Sequence, residues 1–191
     1  MHIKPKILKK ERLFSSRLFG IERLFLRFSN GVERQYERLA TPSTPAVMIV
    51  ALTDNGNVLL IREYCGGTED YQLTLPKGAM DPGESVFDAA NRELMEEVGV
   101  GARTFTELKS LTLSPGYMGF RIHVVLAEDL YPEQREGDEP EPLEVIEHDL
   151  EDMDLLMAAA DCTEARAIAA LYMVRDIVRA RVVDNKGADD E

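Results

Sequence analysis

The chain carries only two cysteines and three histidines in its 191 residues. Cys65 and Cys162 stand far apart, with no CxxC and no Cys/His ligand spacing, so neither a zinc module nor a disulfide framework is expected. That usage fits a reducing, cytoplasmic compartment. Cys65 has no histidine near it in sequence and reads as a small packed residue rather than a nucleophile. His2, His123 and His148 sit in no motif and read as structural. No apolar run approaches the ~20 residues of a membrane-crossing helix. The start, MHIKPKILKKERLF, is basic without the apolar stretch of a signal peptide. Positive charge is scarce as well: 22 Lys and Arg face 35 Asp and Glu, a formal charge of −13. A general nucleic-acid surface and an anionic membrane partner are therefore not expected. A polyanionic small molecule would need placed arginines or bound cations to reverse that field.

The hydrophobic share, 45%, is enough for one core at this length and marginal for two. Alternation over Leu24–Phe28 and over Val32–Tyr36, separated by SNG, predicts an N-terminal hairpin. AVMIVAL and NVLLIREY flank TDNG and read as central strands. Residues 65–83, punctuated by glycine and proline, read as a long functional loop. A helix is expected from Ser85, capped by Ser85 with Asp88. Strands are expected at 104–113 and 120–128, followed by the acidic loop YPEQREGDEPEP and the short apolar segment LEVIEH. Ile168, Leu171, Val174 and Val178 recur at helical spacing and predict a closing amphipathic helix. This order of elements argues for an α+β or layered α/β/α domain and leaves its topology open.

Glu93, Glu96 and Glu97 are spaced i, i+3, i+4, so their carboxylates share one helix face. Phe87, Ala90 and Leu94 form a separate apolar stripe that would fix the helix to the core. Like charges so placed repel, and an acidic cluster on a fixed face suits hard divalent cations. The plain alternative for RELMEE by itself is a solvated acidic surface. The longer spacing argues otherwise: Gly78, five residues, Glu84, seven residues, Arg92-Glu93-Leu94, one residue, Glu96-Glu97, one residue, Gly99-Val100.

With that spacing the chain resembles the Nudix hydrolases, whose defining box is filled at every position. The resemblance implies an α+β Nudix fold: an α/β/α sandwich with a mixed central sheet, preceded by the N-terminal hairpin. It divides the chain into residues 1–42 (the hairpin region, with dimer contacts), 43–185 (the hydrolase domain) and 186–191 (a disordered tail). It implies that Glu93 and Glu97, with Glu96 and the backbone carbonyl of Lys77, bind Mg²⁺, with Mn²⁺ as the alternative, as two or three ions when substrate is present. Arg92 and Glu84 would hold those carboxylates in register, and Gly78 and Gly99 fill structural positions of the box.

The resemblance extends beyond the box to Nudix hydrolases of ADP compounds, through LRFSNGVERQYER, AVMIV, LLIREY, KGAMDPGES, AANRELMEEVG and DLYPEQREGDEPEPL. It implies cleavage of ADP-ribose, Ap3A or NADH at the diphosphate to release AMP. Pro115 resembles a proline that marks ADP-ribose pyrophosphatases, and Tyr117 lies near a tyrosine of diadenosine polyphosphate hydrolases; the plain alternative for SPGYMG is a turn. A mobile acidic loop supplies the catalytic carboxylate in related enzymes, which makes Glu139 the first candidate and Glu141 the next. Where many relatives carry an arginine this chain has Cys65, so Arg62 or Arg121 is expected to supply positive charge to the substrate. Relatives commonly form homodimers through the N-terminal hairpin. A non-catalytic ADP-ribose or NAD sensor and a hydrolase of modified nucleoside triphosphates remain as rival readings.

Overall fold

The computed structural model describes the backbone of residues 2–40 and 44–188, and side chains as far as residue 183. The chain divides into two units, Met1–Pro45 with Thr112–Arg121, and Ala46–Leu111 with Ile122–Glu191.

The first unit is built on a three-stranded antiparallel sheet: β1 (Lys6–Ser15), β2 (Gly20–Arg27) and β3 (Glu33–Ala40), with β2 in the middle. The predicted hairpin is β2–β3, in register from Gly20↔Ala40 to Arg27↔Glu33. Its turn is closed by Gly31 at φ +83, a left-handed conformation that glycine adopts without a steric penalty, and by the Val32 N–H donating to Asn30 Oδ1 at 3.1 Å. Opposite charges face one another across the strands, as in Arg23–Glu37 at 2.8 Å and Arg38–Glu22 at 3.1 Å. β1 was not anticipated: its alternation is masked by lysines, and bulges between Ile7 and Lys9 and between Arg12 and Phe14 break the period. Little of this sheet is buried. Ile7, Leu8, Leu13, Phe14, Leu18 and Phe19 are all exposed.

The second unit is layered around a mixed sheet in the order β10-β5-β4-β9-β8. Its strands are β4 (Ala46–Leu52), β5 (Asn57–Cys65), β6 (Asp70–Thr74), β7 (Lys77–Ala79), β8 (Val100–Thr112), β9 (Arg121–Pro132) and β10 (Glu144–Asp149). β4 runs parallel to β9 and antiparallel to β5, while β6 extends the pairing of β5 and β7 that of β4. Every residue of β4 is buried, as expected of a central strand covered on both faces. Val47, Ile49, Ala51, Leu59, Val125 and Ala127 pack with Ala89, Ala90 and Leu94 of α1 (Val86–Glu97). The other face of β4 lies toward α3 (Ala165–Ala188), which buries Ala167, Ala170, Leu171 and Val174.

Three expectations change in detail. The stretch 65–83 is not one loop, since it contains β6 and β7, whose backbone N–H groups are met by pairing with β5 and β4. Phe87 is not part of the buried stripe: it is exposed and stacks on Phe105 with ring centroids 5.9 Å apart, while Ala89, Ala90, Leu94 and Met95 are buried. Of the four apolar positions expected on the closing helix, Leu171 and Val174 are buried and Ile168 and Val178 half-buried, and the helix is preceded by a short α2 (Met153–Ala158) that sequence pattern did not reveal. Its backbone stays helical through Ala188, inside the segment read as a tail; residues 189–191 lie outside the described residues. No helix among the described residues is long and apolar enough to cross a membrane.

Candidate active site

α1 begins where Ser85 takes an extended conformation and its Oγ accepts the Asp88 N–H at 3.1 Å. The reciprocal half of a capping box is altered, because the Asp88 carboxylate accepts from the Ser85 hydroxyl at 2.6 Å instead. Ahead of it, Gly83 turns the chain at φ +88. The helix ends with the Val98 N–H on the Leu94 carbonyl and Gly99 at φ +77.

Docking α1 by its alanines and leucine places Glu93 and Glu97 against the sheet, only 8% and 9% exposed. The Lys77 backbone N–H donates to Glu97 Oε2 at 2.9 Å, and Glu97 has no other hydrogen-bond partner among the described residues. Burial pushes the Glu97 carboxyl up to about 8, against the partly offsetting N–H and charge of Lys77. Burial raises Glu93 as well, opposed by Arg92. A Cβ on Gly78 would meet the Glu93 carboxylate, so glycine here lets that carboxylate approach the backbone closely without having to shift.

Arg92 organises the cluster. Its Nε and one terminal nitrogen grip Glu84 at 3.0 Å each, the other terminal nitrogen reaches Glu93 at 2.7 Å and Glu96 at 2.9 Å, and a further N–H is taken by the Ala79 carbonyl. These bonds hold the Glu84 carboxyl below its usual range. Arg92 thus bonds to Glu84 and to both acidic neighbours on its own helix.

The acidic loop is tied to the end of this helix. The Arg135 N–H donates to the Met95 carbonyl at 2.9 Å, and the Gln134 side-chain amide donates to the Glu96 carbonyl at 3.2 Å. Both satisfy carbonyls of the last turn that have no partner within the helix. The loop then lines a cleft of ≈ 450 Å³ with Lys77, Gly78, Arg92, Glu93, Glu96 and Glu97 on one side and Glu136, Asp138 and Glu139 on the other. Glu139 is raised by partial burial and by the charges of Glu63 and Asp138. Glu141 lines the adjoining depression, with its Oε1 held by the Tyr71 hydroxyl at 2.6 Å.

Among the described residues no three acidic, histidine or cysteine side chains converge closely enough to enclose an ion, because Arg92 draws Glu93 and Glu96 to itself. The donor chemistry nevertheless fits a hard divalent cation: several carboxylates, one of them buried with a single hydrogen bond, face a polar cleft. Glu93, Glu96 and Glu97 are the helix carboxylates that line the cleft.

Arg62 lies elsewhere than expected. Successive side chains alternate across β5, so Leu59, Ile61 and Glu63 share one face and Arg62 the other, where Glu144 at 2.5 Å and Asp161 at 3.0 Å hold its guanidinium. It does not line the cleft. Pro115, Tyr117 and Arg121 belong to the first unit, where the Tyr117 carbonyl accepts the Leu39 N–H at 2.7 Å. Glu63, paired with Lys77, and Asp138 were not singled out from sequence; the same alternation along LLIREY would have placed Glu63 on the α1 side.

A family model described as the NUDIX domain matches residues 42–171, and a second, the NudE-type Nudix hydrolase N-terminal domain, matches residues 5–38. The chain belongs to the Nudix family. This Nudix chain is 49% identical over 178 residues to the ADP compounds hydrolase NudE of Escherichia coli, covering 93% of this chain and 95% of that one. It is 31% identical over 175 residues to the ADP-ribose pyrophosphatase of Bacillus subtilis, covering 91% and 94%. A crystal structure described as that of an ADP compounds hydrolase superposes with a TM-score of 0.88 at 49% identity, covering 95% of this Nudix chain and 97% of the other.

Proposed function

We propose that this Nudix hydrolase cleaves the diphosphate of ADP-containing compounds such as ADP-ribose, Ap3A and NADH, releasing AMP and, from ADP-ribose, ribose 5-phosphate. The observation that carries the proposal is the buried Glu93–Glu97 pair facing loop residue Glu139 across one cleft, in a chain similar over nearly its whole length to an ADP compounds hydrolase. A sensor would not need this full set of carboxylates.

Glu93, Glu97 and Glu96 are assigned to hold Mg²⁺, together with the Lys77 carbonyl. When bound, the cations neutralise phosphate oxygens and lower the pKa of a coordinated water. Arg92 holds Glu93 and Glu96 in place while leaving Glu97 to the Lys77 N–H. Glu139, on the opposite wall, takes the proton of the attacking water; its raised pKa, relative to an exposed glutamate, makes it a better base. Glu141 is second in line, with Tyr71 fixing its carboxylate. Arg121, Pro115 and Tyr117 are assigned to substrate binding, and Arg62 to its ion pairs with Glu144 and Asp161.

The exposed apolar side chains of β1 and its following turn support a homodimer joined through residues 1–42, and the cysteine usage supports a cytoplasmic setting. The test of the hydrolase reading is AMP formation from ADP-ribose with Mg²⁺, abolished by a chelator and restored by Mg²⁺ or Mn²⁺. Binding of ADP-ribose without AMP formation would instead favour the sensor.

A further inference from the structure

The diphosphate needs positive charge from the protein; of the two arginines expected to give it, Arg62 is on the far face of β5 from Glu63 and Arg121 belongs to the first unit. The cleft is lined by two cationic side chains, Arg92 and Lys77. Arg92 has committed all three guanidinium nitrogens to Glu84, Glu93, Glu96 and the Ala79 carbonyl. Arg135 lines the adjoining depression, where it is half exposed and pairs with Glu133 at 3.6 Å. Lys77 differs from both. Its ammonium has one ion-pair partner among the described residues, Glu63, and both side chains are largely buried, at 19% and 17% exposure. It lines the cleft, and its charge bears both on Glu97 of the helix and on Glu139 of the loop.

Resting on the diphosphate-hydrolase reading, we propose that the Lys77 side chain is a substrate-binding group, held by Glu63 in the free protein and transferred to a diphosphate oxygen when substrate enters. A buried ammonium without a partner would be costly, so Glu63 serves as its counter-ion until the anion replaces it. A lysine suits such an exchange, because its ammonium is a point charge on a flexible stem with three rotatable donors, whereas an arginine fork is fixed by its planar geometry. Neutralising Glu63 should then strengthen anion binding, and only while Lys77 is present.

The test is a double-mutant cycle read by calorimetric binding of imidodiphosphate with Mg²⁺, a probe that requires neither turnover nor the nucleoside. Lys77→Gln is expected to weaken binding by ~10-fold or more, the scale of a lost charge-assisted hydrogen bond, and Lys77→Arg to retain most of it. Glu63→Gln is expected to tighten binding, with that gain lost in the Lys77→Gln background, which is the coupling that a mere change in overall field would lack. Thermal unfolding of each variant separates loss of fold from loss of binding. Absence of binding by the wild-type protein, an effect of Lys77→Gln within about twofold, or a Glu63→Gln gain that persists without Lys77 would overturn the assignment. AMP release from ADP-ribose by the wild-type protein is measured alongside, so failure of the hydrolase reading and failure of the Lys77 assignment register separately.

Discussion

The Gln134 side-chain amide donates to the Glu96 carbonyl at 3.2 Å, so the loop that carries Glu139 is fastened to the last turn of the helix that carries the acidic cluster. Two walls of the cleft are thus joined at one end. Gln134→Ala should leave the fold intact, since the residue is exposed and a surface bond contributes about 1 kcal/mol, yet lower kcat by allowing Glu139 to wander. Steady-state kinetics with parallel melting curves checks this; an unchanged kcat would detach the loop's position from catalysis.

Glu139→Gln should lower kcat far more than it raises KM, because a base acts in the transition state rather than in substrate binding. A rise in KM alone would reassign Glu139 to binding.

Glu97→Gln should reduce turnover by orders of magnitude, on the order of 10³-fold, with little loss of fold. The substitution keeps volume and removes a charge that burial already disfavours. Loss of activity accompanied by a collapsed melting transition would mean that the carboxylate is structural.

The same burial sets a pH dependence for the metal-free protein. Glu97 is held up to about 8 in the folded state and titrates near 4.3 when unfolded, so between these values the native state binds the extra proton. Stability from this group is present below the lower value and is lost as pH rises through the upper one, by up to about 1.4 kcal/mol per pH unit. In chelator the midpoint should fall as the pH is raised from about 5.5 to about 8. Glu97→Gln should flatten the slope, and Mg²⁺ should raise the midpoint most at the alkaline end, where the carboxylate is free of its proton. A wild-type slope that survives Glu97→Gln would assign the effect to other groups.

Gly78→Ala should impair the site more than it harms the fold, because the new methyl meets the Glu93 carboxylate rather than the apolar core. Weaker Mg²⁺ binding with a modest change in melting temperature is the expected outcome, measured by metal titration.

Much of this was legible in the chain. The i, i+3, i+4 spacing of Glu93, Glu96 and Glu97 and the buried run AVMIVAL are local patterns, and local geometry preserves them. β1 was hidden because its bulges and lysines break the period of two, and β6 and β7 because each is too short to display one. The placement of Arg62 was hidden for a different reason: charge alone does not reveal a face, and its partners Glu144 and Asp161 are distant in sequence. Glu63 was missed for the same cause, although counting alternate residues from Leu59 would have found its side of the sheet.

The most direct measurement compares products from ADP-ribose and from a nucleoside triphosphate, with purified protein and Mg²⁺, resolved by ion exchange. The account predicts AMP with ribose 5-phosphate from ADP-ribose at a much higher kcat/KM than any release of inorganic diphosphate from the triphosphate. Efficient release of inorganic diphosphate, with ADP-ribose left whole, would contradict it.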